Sequence, residues 1–114
     1  MTVSERCIFR NSVVDSKDSV ESGWIYASQF SKLSIELKYN WSTLPSSGHL
    51  IVEVVPRVQN NENKPIRSLY YNEFAKSGVI FQTEDITCYP EFKIRISNTT
   101  DQDTMITLTI YLIE

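Results

Sequence analysis

One histidine, His49, and two cysteines, Cys7 and Cys88, are the side chains best suited to nucleophile and base chemistry in this sequence. A thiol beside an imidazole can be activated, because the base takes its proton and leaves a thiolate. His49, however, opens an apolar run directly after Gly48, and both cysteines sit in strand-like segments. Inert burial is the common fate of cysteines there, so both are expected to be free, small buried hydrophobes. There is no Gly-x-Ser-x-Gly, no HExxH, no Gly-rich phosphate loop and no CxxC. The chain is therefore expected not to be an enzyme and to carry no cofactor.

The acidic residues offer two further candidates. Asp101 with Asp103, and Asp15 with Asp18, place paired carboxylates in short polar stretches, as a calcium loop would. Neither reaches the density of a dedicated Asp-x-Asp-x-Asp-Gly loop, so solvated turns are expected and no metal site. Asn40 and Asn98 head N-x-[ST] sequons, read as chance matches in a chain rich in Asn, Ser and Thr.

Aromatic residues carry the remaining chemistry. Two Trp and six Tyr could build a platform on which sugar rings stack, and Trp24, Trp41, Tyr70, Tyr71 and Tyr89 lie nearest to strand ends or loops. The competing reading fills a core and its rim with Trp24, Tyr26, Tyr39 and Trp41, and the pattern favours core or subunit contact over sugar.

The elements that must position these residues are strands. Leu33 to Trp41 alternates without exception: odd positions are apolar or aromatic, and Ser34, Glu36, Lys38 and Asn40 are polar. That period argues for one dry and one wet face, over a length of roughly 30 Å. Burying Leu33, Ile35 and Leu37 would contribute roughly 5 to 9 kcal/mol before chain entropy is subtracted. Further strands are expected at Val3–Phe9, around Trp24–Ala27, at His49–Val55, Ile66–Tyr71, Val79–Thr83, Phe92–Ile96 and Thr104–Ile113. Asp15–Ser19 reads as a turn and Gln29–Lys32 as a bulge or loop. Gln59–Pro65 reads as an exposed Asn-rich loop, and Asn72–Gly78 as a single helical turn capped by Asn72. On this count the chain is all-β: one antiparallel sandwich of eight or nine strands spanning residues 1–114, without internal repeat.

The formal charge of −3 argues against nucleic acid or an anionic membrane as partner. No apolar stretch approaches a membrane span, and Met-Thr-Val-Ser-Glu-Arg-Cys at the N-terminus lacks the apolar region of a secretory signal.

Two strands break the one-wet-face rule. Ile51 and Val55 stand opposite Leu50, Val52 and Val54, and Met105, Tyr111 and Ile113 stand opposite Ile106, Leu108, Ile110 and Leu112. Apolar residues on both faces predict an outer patch covered by another subunit, hence a homo-oligomer or lattice contact.

The order of segments carries a resemblance. Gly-Trp-Ile-Tyr-Ala-Ser-Gln-Phe leads into the 33–41 strand. Gly-His-Leu-Ile-Val-Glu and Tyr-Pro-Glu-Phe-Lys-Ile-Arg-Ile-Ser-Asn follow, and a Thr-rich strand closes the chain. Over residues 22 to 113 this resembles the jelly-roll sandwiches, similar to galactose-binding-like modules, of bacteriophage and other viral virion proteins. The resemblance implies a structural part of a virion (capsid decoration, head or tail fibre, or baseplate) assembled in the host cytoplasm with copies of itself and other structural proteins. The alternative it implies is an adhesive carbohydrate-binding module with surface glycan as partner.

Overall fold

The computed structural model describes residues 2–57 and 65–114. Nine strands are present among them: β1 (Val3–Val14), β2 (Asp18–Glu21), β3 (Ile25–Tyr26), β4 (Lys32–Trp41), β5 (Leu50–Pro56), β6 (Arg67–Tyr71), β7 (Ser77–Asp85), β8 (Glu91–Asn98) and β9 (Thr104–Ile113). They form two antiparallel sheets, one ordered β1-β9-β4-β7 and the other β2-β8-β5-β6, with β3 also paired to β8. Successive strands from β4 onward mostly change sheets, which is the interleaved wiring of a jelly roll.

β4 organises the interior. Its alternation puts Leu33, Ile35, Leu37, Tyr39 and Trp41 inward, against Ile106, Leu108, Ile110 and Leu112 of the neighbouring β9. The opposing sheet contributes Leu50, Val52 and Val54 from β5 and Phe92, Ile94 and Ile96 from β8. These inner faces meet as a single cluster, the arrangement that removes most apolar area from water in a two-layer sandwich.

One end of the sandwich is held by Asn98, whose side chain is fully buried. Its amide nitrogen donates to the Val14 carbonyl at 3.0 Å and the Gln102 carbonyl at 2.8 Å. Its Oδ1 accepts from the Thr100 backbone at 3.0 Å and from the Thr100 hydroxyl at 2.6 Å. The Asn98 sequon is thus sealed inside the fold.

Several local expectations need correction. Asn72–Ala75 forms no helical turn; Phe74 instead packs against Tyr39 and Trp41, with ring centroids 5.3 and 5.0 Å apart. A seven-residue segment lacks the length to hold a helix against such a tertiary contact. The first strand runs on to Val14, past Phe9, by means of two register shifts against β9. Both cysteines are free, as expected, but exposed. Cys7 shares the outward phase of Glu5, opposite Thr109, and Cys88 lies in the turn between β7 and β8. The loop expected at 59–65 lies, apart from Pro65, outside the described residues.

Candidate functional site

The outer face of the five-stranded sheet is a lattice of ion pairs. Register aligns Glu21 of β2, Arg95 of β8, Glu53 of β5 and Ser68 of β6 in one row. Arg95 grips Glu53 with both ends of its guanidinium, at 3.0 and 3.1 Å, and Ser68 donates its hydroxyl to the same carboxylate at 3.0 Å. Lys93 reaches Glu21 at 2.7 Å, and Arg57 pairs with Glu91 at 3.2 Å. The hydrogen bond from Lys93 is the main reason the Glu21 carboxyl ionises below its usual range. The bonds to Glu53 hold Arg95 further toward its charged form. Lys93 and Arg95 are matched by Glu21 and Glu53, partners that only the strand register reveals, while Glu91 on their own strand pairs with Arg57.

Trp24 lies at the edge of this lattice and is 37% exposed. The Arg57 guanidinium stands 5.3 Å and the Lys93 ammonium 5.1 Å from its ring centroid. Two cations close to one indole hold it by cation–π attraction and compete with any sugar for its face. Tyr26, exposed, is next along the same end of the sheet.

The outer face of the four-stranded sheet differs. Val3, Val79, Phe81 and Met105 are exposed there, Phe81 at 70%, and Tyr111 and Ile113 are half-buried beside them. One row reads Cys7, Thr109, Glu36, Phe81 across the strands. Burial, with Glu36 and Glu5 nearby, raises the Tyr111 hydroxyl above its ordinary value. A shallow depression of about 360 Å³ opens among Asn11, Lys38, Asn40, Val79, Met105 and Thr107.

Between the sheets, on the side bounded by β6 and β7, the core ends in polar residues. Gln82 and Glu84 are buried and face inward. Gln82 donates to Glu84 at 3.0 Å and accepts from the Tyr71 hydroxyl at 3.3 Å, while Arg67 lies 3.6 Å from Glu84. Desolvation, followed by the Glu84 charge, raises the Tyr71 hydroxyl above its ordinary value.

The five aromatic ligand candidates are therefore not brought together. Trp41 is fully buried at the centre of the core and has no ligand-facing surface. Tyr71 seals the β6/β7 side. Tyr70 is exposed but stands beside His49, at 5.7 Å between ring centroids, at the end of the sheet opposite Trp24. Tyr89 is half-buried in the β7–β8 connection. Of the interface candidates, Met105, Tyr111 and Ile113 do share the outer face of the four-stranded sheet. Ile51 and Val55 belong to the other sheet, and Val55 is fully buried, so it leaves the patch.

His49 and the two thiols are likewise apart. His49 immediately precedes β5 at the Asn98 end, Cys88 lies at the opposite end, and Cys7 sits on the outer face of the other sheet. Among the described residues no group of three metal-ligating side chains occurs. Asp101 accepts from the backbone and hydroxyl of Ser46, and Asp103 from the Ser16 backbone at 2.7 Å, so both staple turns.

No protein-family description matches the sequence, and neither does any curated protein. Solved structures match at the level of fold. A GH115 4-O-methyl-α-glucuronidase with specificity for decorated arabinogalactans superposes with a TM-score of 0.61 at 7% identity, over 90% of this chain. This chain spans only 14% of the glucuronidase. The SPBc2 prophage-derived protein YomS superposes with a TM-score of 0.55 at 10% identity, over 99% of this chain and 94% of YomS. The C-terminal CBM6 of LamC, a marine laminarinase from Zobellia galactanivorans, gives 0.52 at 8% identity over 85% of this chain and 74% of the module. This chain is a β-sandwich of the shape those proteins share.

Proposed function

We propose that this chain is a non-enzymatic structural subunit of a phage-type particle, acting by protein–protein assembly. The observation that carries the reading is the contrast between the two outer faces. One is crossed by a row of ion pairs, with its exposed aromatics Trp24, Tyr26 and Tyr70 at its two ends, whereas the other, which has the Lys38–Glu36 pair, exposes the aliphatic and aromatic side chains Val79, Phe81 and Met105 to water. A face with several large apolar side chains is stabilised when a protein covers it. The end-to-end match in length and fold with a prophage-derived protein supports placing that assembly in a virion.

A carbohydrate-binding module is the second reading, supported by Trp24 and Tyr26 at one end of the five-stranded sheet and by the fold shared with the CBM6 module. Against it, Arg57 and Lys93 already occupy the Trp24 ring. Native mass spectrometry of the wild type and a glycan array separate the two readings. Assembly with itself or with co-expressed particle proteins, and no glycan signal, is the expected result. Tight glycan binding lost in Trp24→Ala, from a protein that assembles with nothing, would replace the first reading by the second.

A further inference from the structure

Every open sheet has edges, and the four here are not alike. β1 is interrupted by two register shifts and by Asn11 in the left-handed region at φ 47°. β2 has four residues, β3 two and β6 five. β7 has nine, contains neither Pro nor Lys, and keeps unbroken register with β4 from Lys32↔Asp85 to Asn40↔Ser77. Among the described residues nothing pairs with its other side. Of the devices that blunt an edge, β7 has no bulge, Pro or Lys and is not short; its charges are confined to its C-terminal end, where Glu84 points inward and is paired with Arg67, and Asp85 closes the strand.

Two hydrogen bonds fix which backbone groups of β7 are free. The Trp41 N–H donates to the Lys76 carbonyl at 2.7 Å, and the Ile86 N–H donates to the Ser31 carbonyl at 2.8 Å. Between those ends an antiparallel ladder alternates. Gly78, Ile80, Gln82 and Glu84 therefore turn their backbone groups to β4, and Ser77, Val79, Phe81, Thr83 and Asp85 turn theirs to the open side. The same odd-numbered residues present Val79 and Phe81 on the outer face. The inward Gln82 and Glu84 are already paired with Tyr71 and Arg67, so pairing at the edge adds no uncompensated charge.

We propose that β7 pairs antiparallel with β7 of a second copy across a two-fold axis at Phe81, joining two four-stranded sheets into one continuous sheet. The partner is argued from self-complementarity. A two-fold at Phe81 sets Phe81 against its own copy as an aromatic cross-strand pair, Val79 against Thr83, and Ser77 against Asp85. It also sets the Lys76 end of each strand beside the Asp85 end of the other, where the carboxylate, held by the Thr87 backbone at 2.9 Å, stays exposed. All five free odd positions find a partner in this register. The contact is a strip about 30 Å long, small beside the ~800 Å² per partner of a standard interface, so the pair is concentration-dependent.

This deepens the assembly reading and rests on it. The test compares wild type, Phe81→Lys and Met105→Lys by sedimentation equilibrium, with amide hydrogen exchange at low and high protein concentration. Phe81 is exposed, so the lysine leaves the monomer folded and places a charge on the axis. Met105 lies on the same face but on β9, two strands from the edge. The expected result is a wild-type dimer, lost in Phe81→Lys and kept in Met105→Lys. The Val79, Phe81 and Thr83 amides should exchange at least about tenfold more slowly in the concentrated wild type, as newly bonded amides do. A dimer that survives Phe81→Lys, or is lost in Met105→Lys without edge protection, overturns the edge pairing and leaves the assembly reading standing. A wild type that stays monomeric overturns the pairing, and the assembly reading then fails only if no particle protein binds either.

Discussion

Replacing Asn98 by Ala should cost about 3 to 5 kcal/mol. Asn98 is fully buried and makes four hydrogen bonds, two as donor to the Val14 and Gln102 carbonyls and two as acceptor from Thr100. A typical bond contributes about 0.5 to 1.5 kcal/mol net, and a buried group left without a partner costs about 1 to 3 kcal/mol. Alanine removes all four bonds and leaves the Thr100 N–H and the Val14 carbonyl without the Asn98 side chain, while the Gln102 carbonyl still accepts from the Thr100 hydroxyl at 2.9 Å. Against a total stability of about 5 to 15 kcal/mol, that is a large fraction. Urea unfolding followed by tryptophan fluorescence should show the midpoint lower by about 2 M, at an m-value of about 1 to 3 kcal/mol per M. Asn98→Asp should do no better, because it turns a second carboxylate oxygen toward two carbonyls. Ser97→Ala, one residue away on the outer face, should be nearly silent. A loss below about 1 kcal/mol in Asn98→Ala would refute the view that this network pins the end of the sandwich. It would reopen that end as a ligand site, where polar groups need not stabilise the fold.

Gly48→Ala should also destabilise, by at least about 1 to 2 kcal/mol, since Gly48 has φ +88° and a new Cβ would run into the Thr99 backbone. Thermal melts against wild type check it. Glu21 ionises below its ordinary 4.5, so its pairing with Lys93 contributes stability that is full above that value and lost as pH falls through the folded-state value. The slope of stability against pH below 4.5 should therefore flatten in Glu21→Gln. Tyr71 and Tyr111 shift the other way: their stabilisation is complete below 10.0 and lost as pH rises through the raised values. Alkaline unfolding should be delayed in Tyr111→Phe. Arg95→Met should destabilise more than Glu21→Gln, because it leaves the largely covered Glu53 carboxylate without its guanidinium.

The fold was legible because its central strand alternates cleanly. Leu33 to Trp41 named the dry face, and the structure buries all five odd residues. The Trp41 ring shows the limit of that logic for a site: an aromatic near a predicted strand end reads equally as platform or core, and only the packing of Phe74 over it decides. Val55 misled for a related reason, since alternation places a residue on the outer face without saying whether that face is covered. β7 is the opposite case. Its apolar Val79 and Phe81 face water and its polar Gln82 and Glu84 face inward, because register with β4 fixes the phase regardless of hydropathy. No local pattern marks such an inversion. The ion-pair row of Glu21, Arg95 and Glu53 joins residues up to 74 apart in sequence and exists only through strand register.

Sedimentation equilibrium of the wild type, from about 10 μM to about 1 mM, tests the assembly account most directly. The account predicts a reversible rise from monomer to dimer within that range, abolished by Phe81→Lys. A protein that stays monomeric at the highest concentration, recruits no particle protein and binds a glycan through Trp24 would contradict it.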